Sequence, residues 1–237
     1  MLKAILFDLD GTLLPMVEKE FLEGYFGLLT KTMEPRGLNG RELIGVLWRG
    51  VAAMVANDGK RTNEAVFREV FARAYPGRDV EEDLSALENF YRTAFDGARV
   101  FCGYSPAAGE TVSELKRRGF SLILASNPVF PRFAQEMRLI WAGIDPGDFS
   151  LFTSYENFSF SKPNPDYYRA ILAARGLAPD ECLMVGNDAE EDAWAASQAG
   201  IPVFLLTDCL INRKEKDITV WRRGSFPELM KAIDGMN

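Results

Sequence analysis

Three regimes of apolar and polar positions follow one another along the chain. Residues 4–7, Ala-Ile-Leu-Phe, form a short unbroken apolar run that stops at Asp8, as a strand buried on both faces would. From about residue 16 to 97 the apolar positions recur at helical spacing: Phe21, Leu22, Tyr25, Leu28 and Leu29, then Leu43, Ile44, Leu47, Val51 and Met54, then Val66, Phe67, Val70 and Phe71, then Leu84, Leu87, Phe90 and Tyr91. The breakers Pro35-Arg36-Gly37, Asn57-Asp58-Gly59 and Pro76-Gly77 separate these segments, which predicts four helices and no strand.

Beyond residue 98 short apolar runs alternate with helical patterns. Ser105-Pro106 opens a helix to Arg118, stopped by Gly119. A strand over 121–125 leads through Ser126-Asn127-Pro128 to a helix ending about Trp141, and 151–154 is a shorter strand. Asn164-Pro165 caps a helix to Arg175, closed by Gly176. Strand 182–185, helix 189–199 and strand 203–206 follow, with a last short strand over 218–221 and a helix over 227–233. This alternation predicts an α/β fold, a parallel sheet with helices on both faces. Ligands bind such sheets beyond the carboxyl ends of the strands. Asp8, Ser126 and the Asn187/Asp188 pair each directly follow a strand's apolar run, so three distant segments deliver polar groups to one sheet edge.

Composition narrows the chemistry. Of 237 residues, 47% are hydrophobic, enough for a sizeable core. Lys plus Arg number 27 against 34 Asp plus Glu, a net charge of −7, which argues against a general nucleic-acid binder. The chain contains no histidine, which removes His triads, His metal sites and His acid/base catalysis. Proton transfer falls to carboxylates, Lys, Tyr or Cys. Cys102, Cys182 and Cys209 are widely spaced without a C-x-x-C pair, which disfavours zinc and disulfides; Cys182 and Cys209 read as small core residues. No secretory leader or membrane-length apolar run is visible, so a soluble, cytoplasmic protein without a membrane partner is expected.

The strongest chemical signal is Asp8-Leu9-Asp10-Gly11-Thr12. Two carboxylates separated by one residue at a strand end project to the same side, and Gly11 permits a turn that a Cβ would resist. A carboxylate attacking phosphorus needs its repulsion with the substrate cancelled, and a bridging Mg2+ with oxygen ligands does that. The second carboxylate can protonate the leaving oxygen and then take a proton from water.

The stretch FDLDGTL resembles the first motif of the haloacid dehalogenase-like hydrolases, and three more motifs recur in order: Ala125-Ser126-Asn127, Ser161-Lys162-Pro163, and Val185-Gly186-Asn187-Asp188 running to Asp192. The resemblance covers the whole chain. It implies a Rossmann-like core from residues 1–15 and 98–237, with residues 16–97 as an inserted helical cap. It implies Asp8 as nucleophile and metal ligand, and Asp10 as acid/base that also offers its backbone carbonyl to the metal. Thr12 and Ser126 would bind phosphoryl oxygens with Asn127 nearby, and Lys162 would neutralise charge. The 187–192 loop would complete the Mg2+ shell. Where the family generally has Gly-Asp, this chain has Gly186-Asn187. Asp188 is favoured as the ligand because an anionic oxygen suits Mg2+ better, with Asn187 as the alternative and Asp192 orienting the loop or Lys162. Glu190 and Glu191 are assigned no role.

The expected activity is a Mg2+-dependent phosphatase hydrolysing a small phosphorylated metabolite through an aspartyl-phosphate. A phosphomutase of the same family, or a catalytically silent phosphate-binding scaffold, are the alternatives. Asp10 argues against a dehalogenase, which has no leaving oxygen to protonate. A phosphonate hydrolase would need a cap lysine, and Lys19, Lys31 and Lys60 stand in no recognisable setting. Arg36, Arg41, Arg49 and Lys60 could reach substrate from the cap, but nothing in the sequence selects among them.

Overall fold

The computed structural model describes residues 1–236. Six parallel strands form one sheet: β1 (Ala4–Phe7), β2 (Ser121–Leu124), β3 (Leu151–Phe152), β4 (Cys182–Gly186), β5 (Val203–Leu206) and β6 (Arg222–Gly224), in the spatial order β3-β2-β1-β4-β5-β6. The chain moves outward from β1 to β3, then returns to build β4 to β6 on the other side. The crevice where the order reverses therefore opens at the carboxyl ends of β1 and β4. Phe7 is in register with both Leu124 and Val185, so three strand tips finish at one level.

Side chains alternate across the sheet into two buried layers. Ile5, Phe7, Leu122, Leu124, Leu183 and Val185 face α5 (Pro106–Arg117), α6 (Arg132–Trp141) and α9 (Phe226–Asp234). Ala4, Leu6, Ile123, Cys182, Met184 and Leu205 face α7 (Pro165–Arg175) and α8 (Ala195–Gln198). The Asn164 side chain caps α7, and Gly176 ends it in the left-handed conformation at φ 62°.

Four helices stand between β1 and α5: α1 (Glu18–Met33), α2 (Gly40–Val55), α3 (Asn63–Ala74) and α4 (Val80–Arg92). Asn39, Thr62 and Asp79 cap the last three through their side chains. Phe21, Tyr25, Leu29 and Met33 recur at fourth positions and make one buried face of α1. Tyr25 meets Phe90 and Phe95, each with its ring centroid 5.9 Å away, so an aromatic knot holds the unit together. The chain leaves and re-enters the sheet layer side by side: Met16 bridges Cys102, and the Gly103 N–H donates to the Pro15 carbonyl at 2.7 Å. A 3-10 helix over Ala94–Phe101 precedes the return, so we place the cap's second boundary at Cys102 rather than at 97.

Three local expectations change. Residues 218–220 form a 3-10 turn, and the last strand follows at Arg222–Gly224. This edge strand exposes both arginines and has no apolar run to announce it, whereas Trp221 drew the eye because it packs inward and donates to Ser197 Oγ at 2.8 Å. The segment after β4 opens as a π-helix over Ala189–Trp194 before α8, a distortion that concentrates at functional sites. Cys182 is buried but Cys209 is only half-buried, on a loop where its carbonyl serves Asn187.

Candidate active site

Asp8 leaves β1 almost fully buried, with both oxygens engaged from below. Lys162 Nζ donates to Oδ1 at 2.8 Å and Thr12 Oγ1 to Oδ2 at 3.1 Å. Lys162 is itself buried and also donates to Asp192 Oδ1 at 2.6 Å, so one ammonium joins two carboxylates. Burial works against that charge, but Asp192 and Asp8 more than offset it and hold the lysine well above its ordinary pKa. The other Asp192 oxygen accepts the backbone N–H groups of Asn187 and Asp188, each at 3.0 Å. Asp192 therefore orients the loop and the lysine at once.

Two glycines let these parts approach. A Cβ on Gly186 would come within 2.2 Å of Asp192 Oδ2, and one on Gly11, at φ 82°, within 2.3 Å of Asn187 Nδ2. Asn187 is consumed at both ends: its Oδ1 accepts from Thr12 at 3.0 Å and its Nδ2 donates to the Cys209 carbonyl at 2.8 Å. The Asp188 Oδ1 caps the π-helix by accepting the N–H groups of Glu190 and Glu191, while Oδ2 lies 4.0 Å from Arg213.

Asp10 carries a feature that sequence reading missed. Its Oδ2 pairs with Arg138, whose side chain is fully buried, packed at 4.5 Å over the Phe130 ring and donating to the Ala134 carbonyl. Asp10 Oδ1 and Arg138 Nη2 are shielded without a protein partner. Burial raises the Asp10 pKa above the ordinary carboxylate range, with the Arg138 charge pulling the other way. Arg138 lies on the buried face of α6 with Ala134 and Trp141, but an arginine in a helix is ordinarily solvated, so the residue type gives no sign of its burial.

Ser126 is held through its backbone carbonyl, which accepts from Thr153 Oγ1 at 2.6 Å and Tyr167 Oη at 2.9 Å. Asn127 acts as a bridge: Oδ1 accepts the Lys162 N–H and Nδ2 donates to Glu191 Oε2, both at 3.2 Å. Glu191, given no role from sequence, thus joins the site, and burial raises its pKa. Glu190 pairs with Lys214 away from it. Asn63, which reads as an ordinary helix start, is buried and donates to the Pro128 carbonyl and Ser161 Oγ, clasping the cap to the two loops that carry Asn127 and Lys162. Burial pushes the Cys102 and Cys182 thiols up to about 11, away from the thiolate form.

A cavity of about 460 Å3 opens over this floor between the sheet edge and the helices. Asp8, Asp10, Ser126, Asn127, Asn187, Asp188 and Asp192 line it; Thr12 and Lys162 do not, because they stand beneath Asp8. The Thr12 hydroxyl is spent on Asp8 and Asn187 rather than offered to a phosphoryl group. The oxygen donors suit a hard cation, although no three carboxylates form a ready-made cage among the described residues.

A family model for haloacid dehalogenase-like hydrolases matches residues 2–200. The chain is 30% identical to a phosphoserine phosphatase of Thermus thermophilus, over 84% of this chain and 86% of that protein. It is 27% identical to a glyceraldehyde 3-phosphate phosphatase of Methanocaldococcus jannaschii, covering 100% and 99% of the two chains. The crystal structure of a 2-haloacid dehalogenase from Pseudomonas syringae pv. Tomato superimposes over both whole chains with a TM-score of 0.67 at 17% identity, a likeness of fold alone.

Proposed function

The chain belongs to the haloacid dehalogenase-like hydrolases and is a phosphoric monoester hydrolase, and we propose that Asp8 performs the hydrolysis as a nucleophile with Mg2+ as cofactor. One Asp8 oxygen attacks phosphorus while the bond to the leaving oxygen breaks, and Asp10 delivers a proton to that oxygen. A water then attacks the aspartyl-phosphate, Asp10 takes its proton, and phosphate departs with Asp8 restored. The burial that raises the Asp10 pKa favours the protonated form needed first; the Arg138 charge keeps the proton from being held too tightly.

Lys162 offsets the charge of Asp8 and the incoming phosphoryl group, and Asp192 fixes that ammonium in place. The Ser126 hydroxyl, at the cavity wall, holds phosphoryl oxygens. Asp8, Asp188 and the Asp10 backbone carbonyl would hold Mg2+, which would supply Lewis-acid charge compensation to the phosphoryl oxygens. Asp188 is preferred to Asn187 because its Oδ2 is anionic and accepts no hydrogen bond among the described residues, with Arg213 no nearer than 4.0 Å, whereas the Asn187 oxygen is neutral and already accepts from Thr12. Asn127, bridging two loops, positions Lys162 rather than binding phosphate directly.

The observation that carries this reading is the single buried ammonium joining Asp8 to Asp192 directly below an open cavity. Phosphate release from a panel of phosphomonoesters, with Mg2+ and with chelator, tests it. Turnover is expected with the metal alone and is expected to vanish in Asp8→Asn. Undiminished turnover in that variant rules out Asp8 as nucleophile, and undiminished turnover in chelator rules out the cation.

A further inference from the structure

One part of the cavity's roof is a stripe of apolar side chains, beside the cap carboxylates Glu64, Glu81 and Glu88. Leu22, Phe26, Trp48, Val51, Val55 and Phe67 line it from three different helices. Trp48 is 48% and Val55 37% exposed, the largest apolar exposures on α2, and both face this space. Exposed apolar side chains gathered on one wall of a cavity mark a surface that something covers. Trp48 is fixed edge-on against Phe26 at 5.8 Å, a preformed contact face. The Tyr25 and Tyr91 hydroxyls, at the same wall, are turned to each other at 2.7 Å.

The wall offers no free cation. Arg68 and Arg213 are the only basic residues lining it among the described residues, against nine carboxylates. Arg68 pairs with Glu81 and lies 3.7 Å from Glu64; Arg213 pairs with Glu18. The cap cations that could have reached substrate are elsewhere: Arg36 pairs with Glu82, Lys60 with Asp58, and neither Arg41 nor Arg49 lines the cavity. A leaving group bearing a carboxylate would lose its hydration and face excess negative charge.

We infer that this enzyme's substrates are phosphomonoesters of neutral apolar alcohols, whose hydrocarbon part lies against Phe26 and Trp48 while the phosphoryl group sits at Asp8. The inference rests on the phosphatase reading and narrows its substrate class away from the carboxylate-bearing and polar alcohols that the names of its relatives print.

The test compares kcat/KM for hexyl and benzyl phosphate with that for phosphoglycolate, phosphoserine, glyceraldehyde 3-phosphate and phosphocholine, all with Mg2+. The first two are esters of unactivated alcohols, so reactivity alone does not favour them. The apolar esters are expected to be better by at least tenfold. Trp48→Ala should narrow the ratio of benzyl phosphate to phosphoglycolate several-fold, and Trp48→Arg should narrow it further by supplying the missing cation. A polar, anionic or cationic ester that equals the apolar ones overturns the inference and leaves the phosphatase reading intact. Calorimetric binding of benzylphosphonate and phosphonoacetate to the Mg2+-loaded protein decides the matter without turnover. Tighter binding of benzylphosphonate supports the inference even if no ester is hydrolysed, a result that would sink only the phosphatase reading. Equal binding, or none, overturns it.

Discussion

The floor and the roof of the cavity are built on opposite rules. At the floor the charged groups are tied to one another: Asp192 alone holds one ammonium and two backbone N–H groups, and two glycines exist where a Cβ would strike a neighbour. At the roof, Trp48 and Val55 remain partly exposed. A buried charge must be paired and hydrogen-bonded or it will not stay charged, so the floor has few alternatives. An apolar wall needs only shape and carbon, so many sequences would serve. Reaction type is thereby confined to the rigid part, and substrate choice to the part that tolerates change.

Substitutions can break or sharpen this contrast. Asp8→Asn should lower turnover by roughly 10^4-fold or more while leaving the far-ultraviolet circular dichroism of the parent, because the nucleophile is lost but the amide oxygen still accepts from Lys162 and Thr12 keeps Asn187 as its acceptor. Asp192→Ala removes one of the two carboxylates that hold the buried Lys162 charge and leaves two backbone N–H groups unpaired; chemical denaturation should show a loss of about 3–5 kcal/mol. If that variant is as stable as the parent, the floor is less tightly determined than described.

Arg138→Met tests the edge of the floor by pH. Burial raises the Asp10 pKa and Arg138 opposes it, so removing the guanidinium raises it further. Asp10 must begin protonated, and its competence as an acid is lost as pH rises through that value. The basic limb of kcat/KM should therefore move upward by about one pH unit or more, and Arg138→Lys should return most of the shift. An unmoved limb would mean that another group sets it. The smallest effect belongs to the roof: Trp48→Ala should cost under about 1 kcal/mol in thermal unfolding, since the side chain is half exposed, and should register in substrate selectivity instead.

The reaction centre was legible because its chemistry is local. Asp8 and Asp10 follow the apolar run of β1 within three residues, and Ser126 and Asn187/Asp188 each follow an apolar run. Long runs such as 203–206 and the Asn164-capped helix also carried their own boundaries. The edge strand at 222–224 did not, since its pairing with β5 comes from the backbone and its side chains are exposed arginines. Arg138, Glu191 and Asn63 look like ordinary helix residues until a distant partner is known: Asp10 is 128 positions from Arg138, and Ser161 is 98 from Asn63.

The sequence by itself determined the alternating sheet and the helical insert, and singled out the two carboxylates proposed to react, because periodicity and strand-end position act over a few residues. Only the tertiary structure decided which charges are buried, which amides are already spent, and that the cap turns carbon rather than cations toward Asp8. Those properties depend on what lies across the cavity, and burial is a relation between segments that no single segment contains.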